Sequence, residues 1–221
     1  EVTKWTYNTK IPSYGATGWW DKSAYKEGMV LGDIWGLQFD RFLTEDDFNA
    51  DGSLKAGLPD QTKVFPAGYQ FAPGDVLYKV LDNNGEIVKQ TNTNDKGDLS
   101  VIGNALPRLQ FGLNLDAAWK GFDISMFFQG VAKRKLWAAG NQVLPGFTTG
   151  EPFYKGAEDY WTPENTDAFY PRPMDYKQSA SGNYSVNDRY LLNMAYLRLK
   201  TFTVGYSLPK VWLSKFKVQG L

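Results

Sequence analysis

Neither cysteine nor histidine occurs anywhere in the 221 residues. Their absence removes Ser-His-Asp and Cys-His catalysis, the ordinary structural zinc sites and any disulfide scaffold. Net charge is missing too, because 24 Lys and Arg balance 24 Asp and Glu, so the chain carries no overall electrostatic footprint for nucleic acid. No run of about 18 apolar residues is present, which excludes a transmembrane helix. The opening EVTKWTYNTK lacks the charged-then-apolar order of a secretory signal. What the chain does have is 22 Gly together with 8 Trp, 13 Tyr and 14 Phe, a composition that favours β-structure. Length alone would allow one globular domain with its own core. Charged residues are only 22%, yet mean hydropathy is −0.43, because apolar residues are interleaved with polar ones.

The interleaving is clearest from Arg108 to Trp119. Leu109, Phe111, Leu113, Leu115, Ala117 and Trp119 alternate with Arg108, Gln110, Gly112, Asn114, Asp116 and Ala118, the period of a strand with one apolar face. After Lys120-Gly121 the alternation resumes, with Phe122, Ile124, Met126 and Phe128 opposed by Asp123, Ser125, Phe127 and Gln129. A two-residue X-Gly turn predicts a hairpin in which Trp119 meets Phe122 and Leu113 meets Phe128, so that both apolar faces coincide. A third strand is expected within 196–208, where Phe202, Val204 and Tyr206 alternate with Thr201, Thr203 and Gly205 before Pro209. PKVWLSKF then reads as a short helical turn opened by Pro.

Weaker strands are expected at 2–8, 31–43 and 218–221. Long turn-rich loops are expected over 44–107 and 131–188, the former with short strands near 76–81 and 86–90. Very short turns thus alternate with very long loops. A soluble β-sandwich also alternates apolar and polar positions. Three features favour a membrane barrel: about ten residues of unbroken alternation, aromatic ends at the Lys120-Gly121 turn, and the asymmetry of loop length. The polar face would line water or a plug, which a sandwich core would have to exclude.

Four ordered segments carry a resemblance: GDLSVIGN (97–104), LPRLQFGLNLDAAWKGFDISMFFQG (106–130), YWTPENTDAFYPRP (160–173) and DRYLLNMAYLRLKTFTVGYSLPKVWL (188–213). With LGDIWGLQFDRF (31–42) and APGDVLYK (72–79), the chain resembles the C-terminal barrel region of the SusC/RagA family of TonB-dependent outer-membrane transporters. The resemblance implies an all-β fold, a transmembrane antiparallel barrel of about 22 strands with long extracellular loops. Residues 1–221 would be a partial C-terminal barrel region, with the plug domain, TonB box and terminal strand lying outside the chain. It further implies an outer-membrane location in a Gram-negative, Bacteroidetes-like cell. Expected partners are a SusD-like surface lipoprotein, the TonB-ExbB-ExbD system acting through the plug, outer-membrane lipid, and a glycan or peptide substrate, with no nucleic acid. No cofactor, catalytic residue or enzymatic activity is expected. The alternative is a soluble or surface-exposed β-rich glycan-binding protein, with a glycoside hydrolase a distant third.

The residues assigned to lipid or the membrane interface are Leu109, Phe111, Leu113, Leu115, Trp119, Phe122, Ile124, Met126, Phe128, Phe202, Val204 and Tyr206. Trp212 joins the aromatic set at the turn end. Arg198 and Lys200 share parity with Phe202 and Val204, which puts them beside lipopolysaccharide phosphates, unless they form a solvated basic strand end or a bulge changes the parity. Trp137, Phe147, Phe153, Tyr154, Tyr160 and Trp161 crowd the second long loop. They are either sugar platforms or loop structure. Glu151, Glu158, Asp159, Glu164 and Asp167 are loop acids, and a glycosidase pair among them would depend on a spatial separation. Asp47-x-Asn49-x-Asp51-Gly52 matches the first half of a calcium loop but has Leu58 at the twelfth position, and near Asp82 the first carboxylate is replaced by Val80. Asp, Asn and Gly are equally ordinary turn residues, so no metal ligand is assigned.

Overall fold

The computed structural model describes residues 30–81, 85–89, 96–138, 140, 143–146, 154–174, 182–209 and 211–212. The strands expected at 2–8 and 218–221 lie outside them. The chain divides into two compact units, residues 1–106 with 135–193, and residues 107–134 with 194–221. Nine strands are described: β1 (Asp33–Gly36), β2 (Phe39–Phe42), β3 (Val76–Tyr78), β4 (Ser100–Asn104), β5 (Leu109–Trp119), β6 (Phe122–Ala132), β7 (Lys135–Leu136), β8 (Leu192–Asn193) and β9 (Tyr196–Tyr206).

The smaller unit is an antiparallel sheet in the order β5-β6-β9. Its register runs from Trp119↔Phe122 to Leu109↔Ala132, as the alternation and the turn together require. Lys120 and Gly121 both have positive φ, 48° and 88°, the pair of left-handed residues that a type I′ turn demands. The third strand adds on through Phe122↔Tyr206, Ile124↔Val204 and Met126↔Phe202. It starts at Tyr196 and ends at Tyr206, two residues short of the expected Leu208. Its end is fastened by Ser207 N–H donating to Gly121 O at 2.7 Å. Beyond it, Trp212 N–H donates to Pro209 O at 2.9 Å, closing the turn that Pro209 opens.

The larger unit corrects the expectation of one strand over 31–43. Two short strands stand there instead: β1 pairs with β4 and β2 with β3. Between them Leu37 is fully buried and bonds a third segment, its N–H donating to Val186 O and its carbonyl accepting from Asp188 N–H. Gly36 permits that approach, since a Cβ on it would lie 2.7 Å from Val186 O.

The expectation of long loops at 44–107 and 131–188 needs a second correction. β3 falls within the short strand expected at 76–81, but the loops also contain β4, β7 and the end of β6, and they supply most of a core of Leu37, Phe42, Val64, Phe65, Val76, Tyr78, Ile87, Leu99, Trp161 and Ala168. The strand expected at 86–90 reduces to an isolated bridge between Glu86 and Asp60, and Gln90 lies outside the described residues.

Buried side chains replace missing strand partners in this unit. Gln61, 1% exposed, donates to Val76 O and accepts from Tyr78 N–H, so its amide imitates a peptide group beside β3. Asn183 Oδ1 accepts from Val76 N–H, and Asp98 accepts from both Leu81 N–H and Val88 N–H. Such pairings let polar, irregular backbone be buried without orphan groups.

Gly74 joins two of the resemblance motifs. It has φ 89°, and a Cβ on it would lie 2.6 Å from Trp161 Cε3 and 2.8 Å from Arg172 Cβ. Gly74→Ala is therefore expected to destabilise this unit by about 1–3 kcal/mol. Limited proteolysis of the folded protein should show earlier cleavage within 66–75, and unchanged resistance would contradict the packing argument.

Candidate membrane-facing sheet and loop cleft

The register of the three-stranded sheet gathers the assigned apolar residues on one face. Leu109, Phe111, Leu113, Leu115 and Trp119 stand beside Phe122, Ile124, Met126 and Phe128, which stand beside Phe202, Val204 and Tyr206. Leu113 is 49% exposed and Phe202 58%, so this face is uncovered although it is apolar throughout. Exposed apolar surface of this extent marks a contact with something other than water. Eleven residues of β5 rise roughly 34 Å, and a tilt of about 45° brings that to roughly 25 Å, the height of an outer-membrane apolar band.

Aromatic rings close the turn end. Phe122 and Tyr206 have centroids 4.4 Å apart, and Lys120 Nζ lies 4.7 Å from the centroid of Trp119. Trp212 is 59% exposed. The other face carries Gln110, Asn114, Asp116, Asp123, Ser125, Gln129, Thr201 and Thr203, with the rings of Phe127 and Tyr196 among them.

A bulge decides where Arg198 points. Phe127 pairs with Thr201 but Phe128 pairs with Leu199, so Lys200 is the extra residue and the parity of β9 changes there. Arg198 consequently pairs with Gln129 on the polar face, where its Nη2 donates to Gln129 Oε1 at 3.5 Å and its guanidinium lies 5.2 Å from the centroid of Tyr196. Leu197 and Leu199 take its place on the apolar face, an extension that simple alternation does not anticipate. Its one signal in the sequence is the break in period at Leu197-Arg198-Leu199-Lys200.

The polar residues of the resemblance motifs are structural connectors. Asp75 is fully buried and accepts from Arg172 Nε at 2.8 Å, Arg172 Nη2 at 3.3 Å, Asn183 Nδ2 at 3.1 Å and Ala72 N–H at 2.9 Å. Tyr69, whose hydroxyl is pushed up by burial and by the Asp75 charge, stays protonated and donates to Met174 Sδ. Arg189 donates to Ala168 O and Phe169 O and lies over the rings of Phe39 and Phe42.

At the half-matched calcium loop, internal partners occupy the expected ligands. Arg41 grips Asp47 through Nη1–Oδ2 at 2.6 Å and Nη2–Oδ1 at 2.7 Å, Asn49 donates to Ser53 Oγ, and Asp51 accepts from Ser53. Among the described residues no three acidic groups gather as a metal site. Hydrogen bonding from Arg41 holds the Asp47 carboxyl below its usual range. A depressed carboxylate contributes stability above its unfolded value of about 4 and loses it as pH falls through the folded value. The Arg41 side chain is 43% exposed, so the contribution is at most about 1 kcal/mol. Hydrogen-exchange mass spectrometry, corrected for intrinsic rates, should show the 43–55 peptide loosening at pH 3 relative to pH 6.

The aromatics of the second loop separate into two roles. Trp161 is buried in the main core and Trp137 packs against Leu144, Tyr184 and Tyr190, while Phe147 and Phe153 lie outside the described residues. Tyr154 and Tyr160 instead line an open cleft of about 470 Å³ with Tyr170, Tyr184, Lys155 and Glu158, walled by Pro145, Pro171 and Pro173. Trp161 N–H to Tyr170 O and Tyr170 N–H to Asp159 O hold Tyr160 and Tyr170 side by side. Asp159 accepts from Phe169 N–H and Asn165 Nδ2, a structural duty. Glu158 is the one carboxylate lining the cleft among the described residues, and Glu151 lies outside them. Tyr170, Pro171 and Pro173 belong to the 160–173 segment without being singled out within it, and Pro145 and Tyr184 lie in no quoted segment.

Comparison with known proteins sharpens this picture. TonB-dependent receptor P3 of Formosa agariphila is 28% identical over 200 residues, covering 88% of this chain and 17% of the receptor. The chain is similar to TonB-dependent receptors. Receptor P26 of the same organism is 34% identical over 135 residues, covering 59% of this chain and 12% of the receptor. The chain thus spans less than a fifth of the length of these curated relatives. No family model matches it.

Proposed function

We propose that the chain is part of a SusC/RagA-type TonB-dependent transporter of the outer membrane. In this reading β5, β6 and β9 are wall strands of a barrel of about 22 strands. Their apolar face meets lipid, their polar face meets the water-filled or plugged interior, and the long loops of the barrel are extracellular. A SusD-like lipoprotein would cover the outer mouth, and the TonB-ExbB-ExbD system would act on a plug carried elsewhere in the parent protein. Oligosaccharides, glycan fragments or peptides would be captured under that lid and released inward when the plug is pulled. The observation that carries the reading is the uncovered apolar face of three eleven-residue antiparallel strands, backed by a polar face of equal length.

A direct test introduces single cysteines into the parent with any cysteines of its own replaced, none of which falls in these 221 residues. In the full-length parent expressed in cells, Leu113→Cys should react with a membrane-soluble maleimide and resist a charged, water-soluble one. Asn114→Cys, on the opposite face, should show the reverse preference once the interior is opened to reagent. Equal labelling of both positions by the charged reagent, with the parent found in the aqueous fraction, would favour the soluble glycan-binding alternative.

A further inference from the structure

The loop cleft has a chemistry of its own. Tyr154 and Tyr160 are 44% and 40% exposed, so each presents ring surface to a ligand. Behind them Tyr170 and Tyr184 pack on Tyr190, with centroids 6.0 and 5.3 Å away, and three prolines stiffen the walls. Tyr184 is only 3% exposed and lines the inner part of the cleft. Neither Lys155 nor Glu158 has an ion pair or side-chain hydrogen bond among the described residues. Burial pushes the Tyr170 and Tyr184 hydroxyls up, so both stay protonated and able to donate at any physiological pH. The cleft therefore combines flat aromatic faces with hydrogen-bond donors and acceptors in a rigid frame.

We propose that this cleft is a binding site for a short neutral saccharide, one or two rings of which rest on Tyr154 and Tyr160. A pyranose has a face of weakly positive C–H bonds that suits the negative face of a tyrosine ring, and a rim of hydroxyls that needs both donors and acceptors. The tyrosine hydroxyls, Lys155 ammonium and Glu158 carboxylate supply both kinds. Lys155 and Glu158 cancel in charge, which gives no preference for a uronate or a charged peptide. An extended peptide would call for a strand edge or a long aromatic groove. A cleft of about 470 Å³ fits a small ligand instead. Preformed walls reduce the ordering cost of binding. The inference rests on the transporter reading only for the source of the ligand, since the cleft's chemistry is independent of it.

The test uses the full-length parent protein in detergent and isothermal titration calorimetry. Neutral probes are maltotriose, cellotriose and xylotriose, with trigalacturonate and tetraproline as charged and peptide controls. At least one neutral trisaccharide should bind. Tyr154→Ala and Tyr160→Ala should each raise its Kd tenfold or more, and Tyr184→Phe about threefold. Tyr160→Trp should retain binding, which a purely structural role for the ring would not predict. Melting temperature serves as the control for folding, and these exposed positions should leave it unchanged.

The proposal is overturned if no neutral probe binds the parent protein, or if Tyr160→Ala keeps the parental Kd within twofold. It is also overturned if tetraproline or trigalacturonate binds more tightly at the same residues, or if Tyr154 and Tyr160 in the parent resist iodination because its own chain fills the cleft. Failure of the transporter reading registers separately, in the fractionation and labelling of Leu113→Cys, and leaves the Kd comparison standing.

Discussion

Asp75→Ala is expected to cost the larger unit about 3–5 kcal/mol, because it strands the partly buried guanidinium of Arg172 without its counter-ion. The same change deprives Asn183 Nδ2 and Ala72 N–H of their acceptor, and Asn183 in turn supports β3 through Val76 N–H. For a folding unit of this size, about 2–4 °C per kcal/mol translates the loss into a melting shift of roughly 10 °C. The measurement is thermal melting of the full-length protein, with limited proteolysis to locate the damage. A double variant, Asp75→Ala with Arg172→Met, should recover part of the loss, since two absent charges cost less than one unpaired charge. A single variant that melts with the parent would show that the network contributes little.

On the proposed barrel reading, Leu113→Arg should remove about 2–4 kcal/mol from the folded parent protein, the cost of a cation near the middle of a lipid-facing band. Asn114→Arg, one residue along and on the other face, should be close to neutral. The comparison matters because both side chains are exposed and a soluble protein would accept either cation with little change. Heat-modifiable mobility on gels and the folded yield in outer-membrane fractions give the readout. Equal tolerance of the two variants would rule out the lipid-facing assignment.

The three-stranded sheet is legible in the sequence because its physics is periodic. One face is apolar and the other polar, so each residue from Leu109 to Trp119 declares its side, and Lys120-Gly121 sets the register. Lys200 is not legible. A bulge adds a residue without adding a pattern, and only the pairing of Phe128 with Leu199 shows that the parity has changed.

The larger unit is hidden for a different reason. Asp75, Asp98, Asn183 and Gln61 look like solvated loop residues, and each is buried because it satisfies the backbone of a segment remote in sequence. Composition therefore points to loops where there is a packed core. The split of 31–43 follows likewise, since Leu37 bonds to residues 186 and 188, which no local pattern anticipates. The cleft is half legible: its exposed tyrosines stand out along the chain, while its prolines and the buried Tyr184 gain meaning only when brought together.

β7 and β8 pair Lys135 with Asn193 and Leu136 with Leu192, so the chain leaves and re-enters at points about 5 Å apart. A segment tethered by a two-rung base can be lengthened or exchanged with little change in closure entropy. The intervening residues hold Trp161, Arg172 and Asn183, which grip residues 72–76, so the natural unit of exchange is this segment together with its partner, 31–106. Such a paired cassette offers a route by which new recognition surfaces can be grafted between parents, while the hairpin of β5 and β6 is inherited unchanged.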